Sequence, residues 1–307
     1  MNFLQELLEK YQVRKTNAQK EAFLSWAQAQ CKGMGYAARV EENKGSKFCR
    51  NLVAGDIENA KVVFTAHYDT CAKMPVPNLV FPKNFLLTLL VQMPLILVML
   101  FISIGAALLA VELTGDENVY SLVFMVLYFG FMFLILYGPA NPHTANDNTS
   151  GTAALLEIMA ALPEDLRSKA AFIFFDNEEG GKIGSKAYAK AHKGLMDDKI
   201  LLNLDCIGDG EHFLIVAPKK ADERVISLLK QVFQSQDGKI AVHCSSKNTH
   251  YNSDQMSFPK VGCAVAACHK NKLGYFVPRI HTPRDIICDE SNLAYVCAGA
   301  VKLVEMM

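Results

Sequence analysis

The sequence predicts an α/β fold: a mixed, mostly parallel central sheet covered by helices on both faces, with a two-helix transmembrane hairpin inserted into it. Three observations predict it. Short, continuously apolar runs such as Lys61–Ala66 (KVVFTA), Ala170–Phe175 (AAFIFF) and Ile200–Leu204 (ILLNL) read as strands buried on both faces. Amphipathic segments alternate with them, as expected where helical crossovers join parallel strands. Finally, residues 85–137 are a stretch of 53 with 40 apolar side chains and only three charges, Glu112, Asp116 and Glu117.

Taken in order, Thr16-x-x-Gln19 reads as a capping box that opens a helix running to about Cys31, ended by Gly33 and Gly35. Strands are expected at Tyr36–Glu41, Asn51–Ala54 and Lys61–Ala66. Phe85–Val111 is then an uncharged run of 27 residues and Val119–Tyr137 another of 19. As helices these would be about 40 and 28 Å long, at ~1.5 Å per residue, against a hydrocarbon core of ~30 Å. Both can span; the first has to tilt, kink at Pro94 or protrude. The polar stretch Glu112–Asn118, with Gly115, supplies the turn. Neither span contains an ionisable group, so the hairpin reads as an anchor rather than an ion path. A hairpin buried in a soluble core is the competing reading. Beyond it come a helix at Gly151–Leu162, a strand at Ala170–Phe175, a helix at Ser185–His192 and a strand at Ile200–Leu204. A strand at Phe213–Ala217, a helix near Ala221–Gln234, a strand at Val261–Ala267 and a terminal helix at Asn292–Met307 complete the pattern. With no repeat and no low-complexity linker, 1–84 and 138–307 read as one domain and 85–137 as its insertion.

The 31 basic and 31 acidic side chains cancel, which argues against a nucleic-acid-binding surface. Nine cysteines form no CxxC pair, so free thiols in a reducing compartment are expected rather than disulfides or a thiolate zinc site. The first residues, MNFLQELLEKYQVRK, hold no apolar core or small-residue cleavage site of a secretory signal. Lys73 and Lys83 precede the first span and the connecting loop has no Lys or Arg. By the positive-inside tendency the loop faces outward and both flanks are cytoplasmic.

In sheets of this kind, sites collect beyond the carboxyl ends of the strands. KVVFTA runs into His67-Tyr68-Asp69, AAFIFF into Asp176-Asn177-Glu178-Glu179-Gly180-Gly181, and ILLNL into Asp205. Asp147 precedes a helix in Asn146-Asp147-Asn148-Thr149-Ser150-Gly151, and His281 sits in Ile280-His281-Thr282-Pro283-Arg284-Asp285. Two imidazoles among carboxylates suit zinc, cobalt or manganese. Each residue also has an ordinary reading: Asp147 or Thr149 as a helix cap, Glu178 and Glu179 as a solvated helix start, His67 as a satisfied histidine. The joint pattern outweighs these, and no HExxH, GxSxG or P-loop competes with it.

The ordered set His-x-Asp, Asn-Asp-Asn-x-Ser-Gly, Glu-Glu-x-Gly-x-x-Gly-Ser, Asn-Leu-Asp-x-Ile-Gly and His-Thr-Pro-x-Asp resembles the co-catalytic zinc aminopeptidases, with glutamate carboxypeptidases and glutaminyl cyclases as relatives. The resemblance runs from about residue 61 to 290, hairpin excluded. It implies a zinc-exopeptidase fold, two divalent metals (zinc, or cobalt or manganese) and peptide substrates. In it Asp147 bridges the metals, His67 and Asp205 complete one, and Glu179 and His281 the other. Glu178 is the general base for the attacking water, and Asp69 orients His67. This sequence departs from the family at Gln255, where a His is usual, and at Lys182, where an apolar residue is common. The expected function is a membrane-anchored aminopeptidase. A single-zinc glutaminyl-peptide cyclotransferase and a non-catalytic membrane module are the alternatives.

Overall fold

The computed structural model describes residues 2–43, 45 and 47–307. Helices α1 (Phe3–Lys10) and α2 (Asn17–Gly33) precede strands β1 (Ala38–Asn43), β2 (Cys49–Gly55) and β3 (Val62–His67). Two apolar helices, α3 (Phe85–Thr114) and α4 (Asn118–Tyr137), separate β3 from α5 (Gly151–Ala161). Then follow β4 (Ala170–Phe175), α6 (Ile183–Ala191), β5 (Ile200–Leu204), β6 (His212–Ala217) and α7 (Glu223–Val232). The chain finishes with β7 (Ile240–Ser245), β8 (Gly262–Asn271), β9 (Gly274–Phe276) and α8 (Glu290–Glu305).

The strands form one sheet in the order β1-β2-β4-β3-β5-β8-β6-β7, with β9 added to β8. Its centre, β4-β3-β5-β8, is parallel, as is the β6–β7 pair. The β1–β2, β2–β4, β6–β8 and β8–β9 pairs are antiparallel. This is the mixed sheet with a parallel middle that the continuous apolar runs predict. Along β4, Ala170, Phe172 and Phe174 point into the core shared with α2, α5 and α8, while Ala171, Ile173 and Phe175 pack on the other face with Tyr188 of α6. Burial on both faces is why AAFIFF carries no polar alternation.

Helix starts are set where side chains close them locally. Thr16 accepts from the Gln19 amide and Gln19 Oε1 accepts from the Thr16 amide, so α2 starts where the capping box places it. Asp222 accepts from the Arg224 amide at 2.7 Å, and α7 therefore starts at Glu223, after the expected Ala221. Three elements go beyond the sequence reading. α1 forms on an Asn2 cap. β7 is a partly exposed strand at the end of the sheet, and β9 has only three residues, too few for a periodic signal. β8 runs past Ala267 to Asn271 because its end pairs with β9.

The apolar insertion is an antiparallel helical pair. α3 stays helical through Pro94 and stops at Gly115, whose φ of 70° supplies the left-handed turn. Met99, Ser103 and Ala107 of α3, spaced by four, are its buried residues, and the small side chains of Ser103 and Ala107 allow close approach of α4. The other faces are exposed: Phe101 is 66% and Leu113 77% accessible. At the base the incoming and outgoing strands meet. Ala72 bridges Ala140, the Lys73 amide donates to the Pro139 carbonyl at 2.8 Å, and the Asn141 amide to the Cys71 carbonyl at 3.1 Å.

Candidate metal centre

Because β4, β3 and β5 are parallel neighbours, their carboxyl ends fall side by side at one edge of the sheet. His67 ends β3 and Asp69 follows it; Glu178 and Glu179 lie just beyond β4, and Asp205 directly after β5. Asp147 enters from the irregular turn Ala145–Ser150 before α5, and His281 from the loop after β9. The seven residues singled out in the sequence thus converge.

The Asp147 carboxylate sits between the two histidines. Its Oδ1 is 3.2 Å from His67 Nε2 and its Oδ2 is 3.1 Å from His281 Nε2. Asp205 lies 3.7 Å from His67 Nε2, and Glu179 lies 3.3 Å from His281 Nε2. The donor atoms of His67, Asp147 and Asp205 fall within 4.8 Å of one another, as do those of His67, Glu178 and Glu179. Cys71 approaches Glu179 and His281, but burial holds its thiol well above the usual range and therefore protonated.

The surrounding structure fixes these side chains. Asp69 Oδ1 is 3.5 Å from His67 Nδ1, and the same carboxylate accepts from the Glu178 and Glu179 amides at 2.8 and 3.2 Å. Asp69 therefore also sets the turn that carries the two glutamates, a role the His-x-Asp spacing does not reveal. Asp285 accepts from the amides of Asn146 and Asp147 at 2.8 and 3.0 Å. The Asn148 side chain spans from the Leu204 carbonyl to the Gly151 amide, tying the Asp147 turn to the end of β5. This turn has a cis peptide between Asp147 and Asn148. Neither Asp147 nor Thr149 caps α5: the Thr149 hydroxyl is taken by the buried Arg14 and by Thr144. Glu178 and Glu179 lie in a turn before α6, not in its first turn, which corrects the solvated-helix-start reading.

Enclosure in the cleft raises Glu178 well above the ordinary carboxylate range, with His67 opposing and Asp254, Glu179 and Asp205 reinforcing. The same desolvation pushes Glu179 up to about 8 and Asp254 to about 7. Burial alone favours neutral His67, yet Asp147, Asp205 and Asp69 outweigh it and raise the imidazole well above its usual value. So many acids together call for positive charge. Glu179 Oε1 and Asp205 Oδ1 are moreover buried without a hydrogen-bond partner, a costly arrangement unless a cation satisfies them. Two imidazoles and three carboxylates with free oxygen donors fit a zinc-type divalent centre.

These groups form the floor of a cavity of about 700 Å³. Its walls hold residues that the sequence motifs leave without a role. The hydroxyl of Tyr251 donates to the Asp205 carbonyl at 2.9 Å, and behind the wall Asp254 is fully buried with neither carboxylate oxygen hydrogen-bonded. Gln255, the departure from the family pattern, is held by Asn203 and the Tyr251 carbonyl. Lys182, the other departure, adopts a left-handed φ of 60° and reaches Asn252 at 2.6 Å on the cavity wall. Asp285 was visible in His-Thr-Pro-x-Asp, but only the fold gives it a purpose.

Comparison with known proteins bears on the family and the fold. The profile of Peptidase family M28 matches residues 130–301. A probable leucine aminopeptidase of Arthroderma otae is 28% identical over 151 residues, 47% of this chain and 42% of that protein. The chain thus spans less than half the length of that curated relative. Among solved structures, a Porphyromonas gingivalis glutaminyl cyclase superposes with a TM-score of 0.62 at 16% identity, covering 99% of this chain and 96% of that one. A Zn-dependent exopeptidase from Parabacteroides distasonis gives 0.61 at 15% identity, over 98% and 95%. The Legionella pneumophila LapA aminopeptidase gives 0.59 at 14%, over 99% and 68%. At these identities the structures share the fold, while the family profile covers more than half of the sequence, and the chain accordingly belongs to Peptidase family M28, a family of zinc-dependent exopeptidases.

Proposed function

We propose that this chain is a membrane-anchored metallo-aminopeptidase. Residues 1–84 and 138–307 form the catalytic domain at the cytoplasmic face, and 85–137 is its transmembrane hairpin. The observation that carries the reading is the Asp147 carboxylate, with one oxygen toward His67 and the other toward His281, and Glu178 beside them. In this reading His67, Asp147 and Asp205 hold one zinc ion, and Asp147, Glu179 and His281 the other. When bound, the metals supply Lewis acidity to the scissile carbonyl and to the attacking water.

The chain's own groups do the rest. Glu178, which burial raises above the ordinary carboxylate range and so makes a better proton acceptor than an exposed carboxylate, accepts a proton from the attacking water and passes it to the leaving amine. Asp69 keeps Glu178 in place through its backbone amide and faces His67 Nδ1. A free amine at the peptide N-terminus would be held by one of the metals or by a nearby acid, which favours cleavage from that end. The test is the purified full chain with a panel of aminoacyl amides, dipeptides and a glutaminyl peptide. Free amino acid should be released, chelation should abolish the activity, and zinc, cobalt or manganese should restore it. Full activity after metal removal would sink the mechanism, and a pyroglutamyl product in place of free amino acid would make the protein a cyclotransferase.

A further inference from the structure

We infer that the substrate is a peptide whose N-terminus emerges from a lipid bilayer, with the residues after the first lying along the base of α3. The inference rests on the membrane-anchored aminopeptidase reading and names its substrate class. One cavity joins the two features: it holds His67 and Glu178 on its floor and Phe85, Thr88 and Gln92 of α3 on its wall. Those three α3 residues are spaced by three and four, so they form one helical stripe facing the cleft. Neighbouring Leu86, Leu89, Leu90 and Met93 are exposed on the remaining faces. The stripe also accounts for the polar side chains in an otherwise greasy segment. The Gln92 amide donates to Asn78 Oδ1 at 2.8 Å, and the Thr88 hydroxyl accepts from the Phe81 amide at 2.9 Å.

The helix base and the metal centre are joined through the backbone. The strap that leads from β3 to α3 pairs with the loop that carries His281: the Met74 amide donates to the His281 carbonyl at 2.8 Å, and Val80 bridges Val277. Helix lengths then set the depth. α3 has 30 residues and α4 has 20, and the two share the turn at Gly115. α4 matches a hydrocarbon core of ~30 Å, so roughly 15 Å of α3 stands outside it at the base. That excess is the part containing Phe85, Thr88 and Gln92, which places this cleft wall in and just above the headgroup layer. Interfacial chemistry surrounds it. The Lys83 and Lys270 ammonium groups each lie 5.3 Å from the Tyr275 ring, beside Leu273, which is 62% exposed at the β8–β9 turn. A peptide with its N-terminal residue on the metal floor and apolar residues directly after it matches both ends of this cleft.

The test uses the full chain, zinc-loaded, in phosphatidylcholine–phosphatidylglycerol vesicles. Substrates share one N-terminal residue and are either soluble hexapeptides or peptides anchored by a C-terminal transmembrane segment through Gly/Ser spacers of about 5 or about 20 residues. Co-localisation alone makes the long spacer as good as or better than the short one, since it reaches more readily. The inference predicts the reverse: the short-spacer peptide exceeds both the long-spacer and soluble peptides in kcat/KM by about tenfold or more, because its apolar segment lies against the α3 base. Equal turnover, or turnover rising with spacer length, overturns the inference and leaves the peptidase reading intact. Failure to release amino acid from any substrate overturns both. A turnover-independent readout uses Glu178→Gln protein and a short-spacer peptide with a photoreactive fifth residue. Attachment within Phe85–Gln92 supports the inference, and attachment only outside α3 overturns it.

Discussion

Glu178 and Glu179 are adjacent, yet the geometry gives them different surroundings. Glu179 faces His281, whereas Glu178 lies beside His67 and Glu179 without an ion-pair partner of its own among the described residues. Glu178→Gln should therefore keep its metal while kcat falls by about 10²–10⁴-fold, since only the proton acceptor is lost. Glu179→Ala should instead lose metal. Metal analysis beside steady-state kinetics checks both, and an exchange of the two behaviours would overturn the assignment. Asp285 acts at one remove. Holding the Asn146 and Asp147 amides, it aims the carboxylate that faces both histidines. Asp285→Ala should weaken metal binding by about 10–100-fold without removing a ligand, measurable by competition with a chromophoric chelator. The residue types at the strand ends were legible because carboxylates and imidazoles after buried strands have no packing purpose. Asp285, Asn148 and the second role of Asp69 were not, because their partners are backbone amides brought close only by folding.

The elements were legible where the signal is local. Runs buried on both faces announced β3, β4 and β5, and a capping box announced α2. β7 and β9 escaped because a half-exposed end strand and a three-residue strand depend on their neighbours for definition. The glutamate-bearing turn between β4 and α6 shows why its glycine motif matters. Gly181 adopts a φ of 100°, and a Cβ on Gly184 would strike the Asp176 backbone and the Asn51 side chain. Gly184→Ala should therefore push the end of β4 away from α6, lowering stability by roughly 1–3 kcal/mol and disturbing the adjacent turn. Thermal unfolding and metal content should both fall; a variant with unchanged unfolding and metal content would show that the packing tolerates the methyl group.

At the scale of the whole molecule, the site constrains the topology. His67 precedes the hairpin and Asp147 follows it, yet their side chains are 3.2 Å apart. An odd number of spans between them would put them on opposite sides of a membrane, so the intervening chain crosses twice or not at all. Two crossings are the proposed case: both apolar helices are long and apolar enough to cross by composition, and Ala72 meets Ala140 at their base, as either count requires. Asp116→Cys at the hairpin tip should be labelled by a membrane-impermeant reagent from outside intact cells. Lys190→Cys on α6 and Lys230→Cys on α7 should be labelled only after permeabilisation. If the tip and the helices label from the same side, the hairpin does not cross, while the metal site is untouched.

The sequence alone determined the α/β class, the place and length of the apolar insertion and the residues proposed to hold metal. Each of these depends on local composition: which side chains follow a buried strand, and how long a segment stays uncharged. Tertiary structure decided how those residues combine. Only the parallel order β4-β3-β5 sets His67 between Glu178 and Asp205, and only the return of the chain below the hairpin brings Asp147 to both histidines. Only the fold makes the first turns of α3 a wall of the same cavity. Such contacts join residues distant along the chain, and no local pattern encodes them, because the free energy that fixes them comes from burial and pairing across the assembled core.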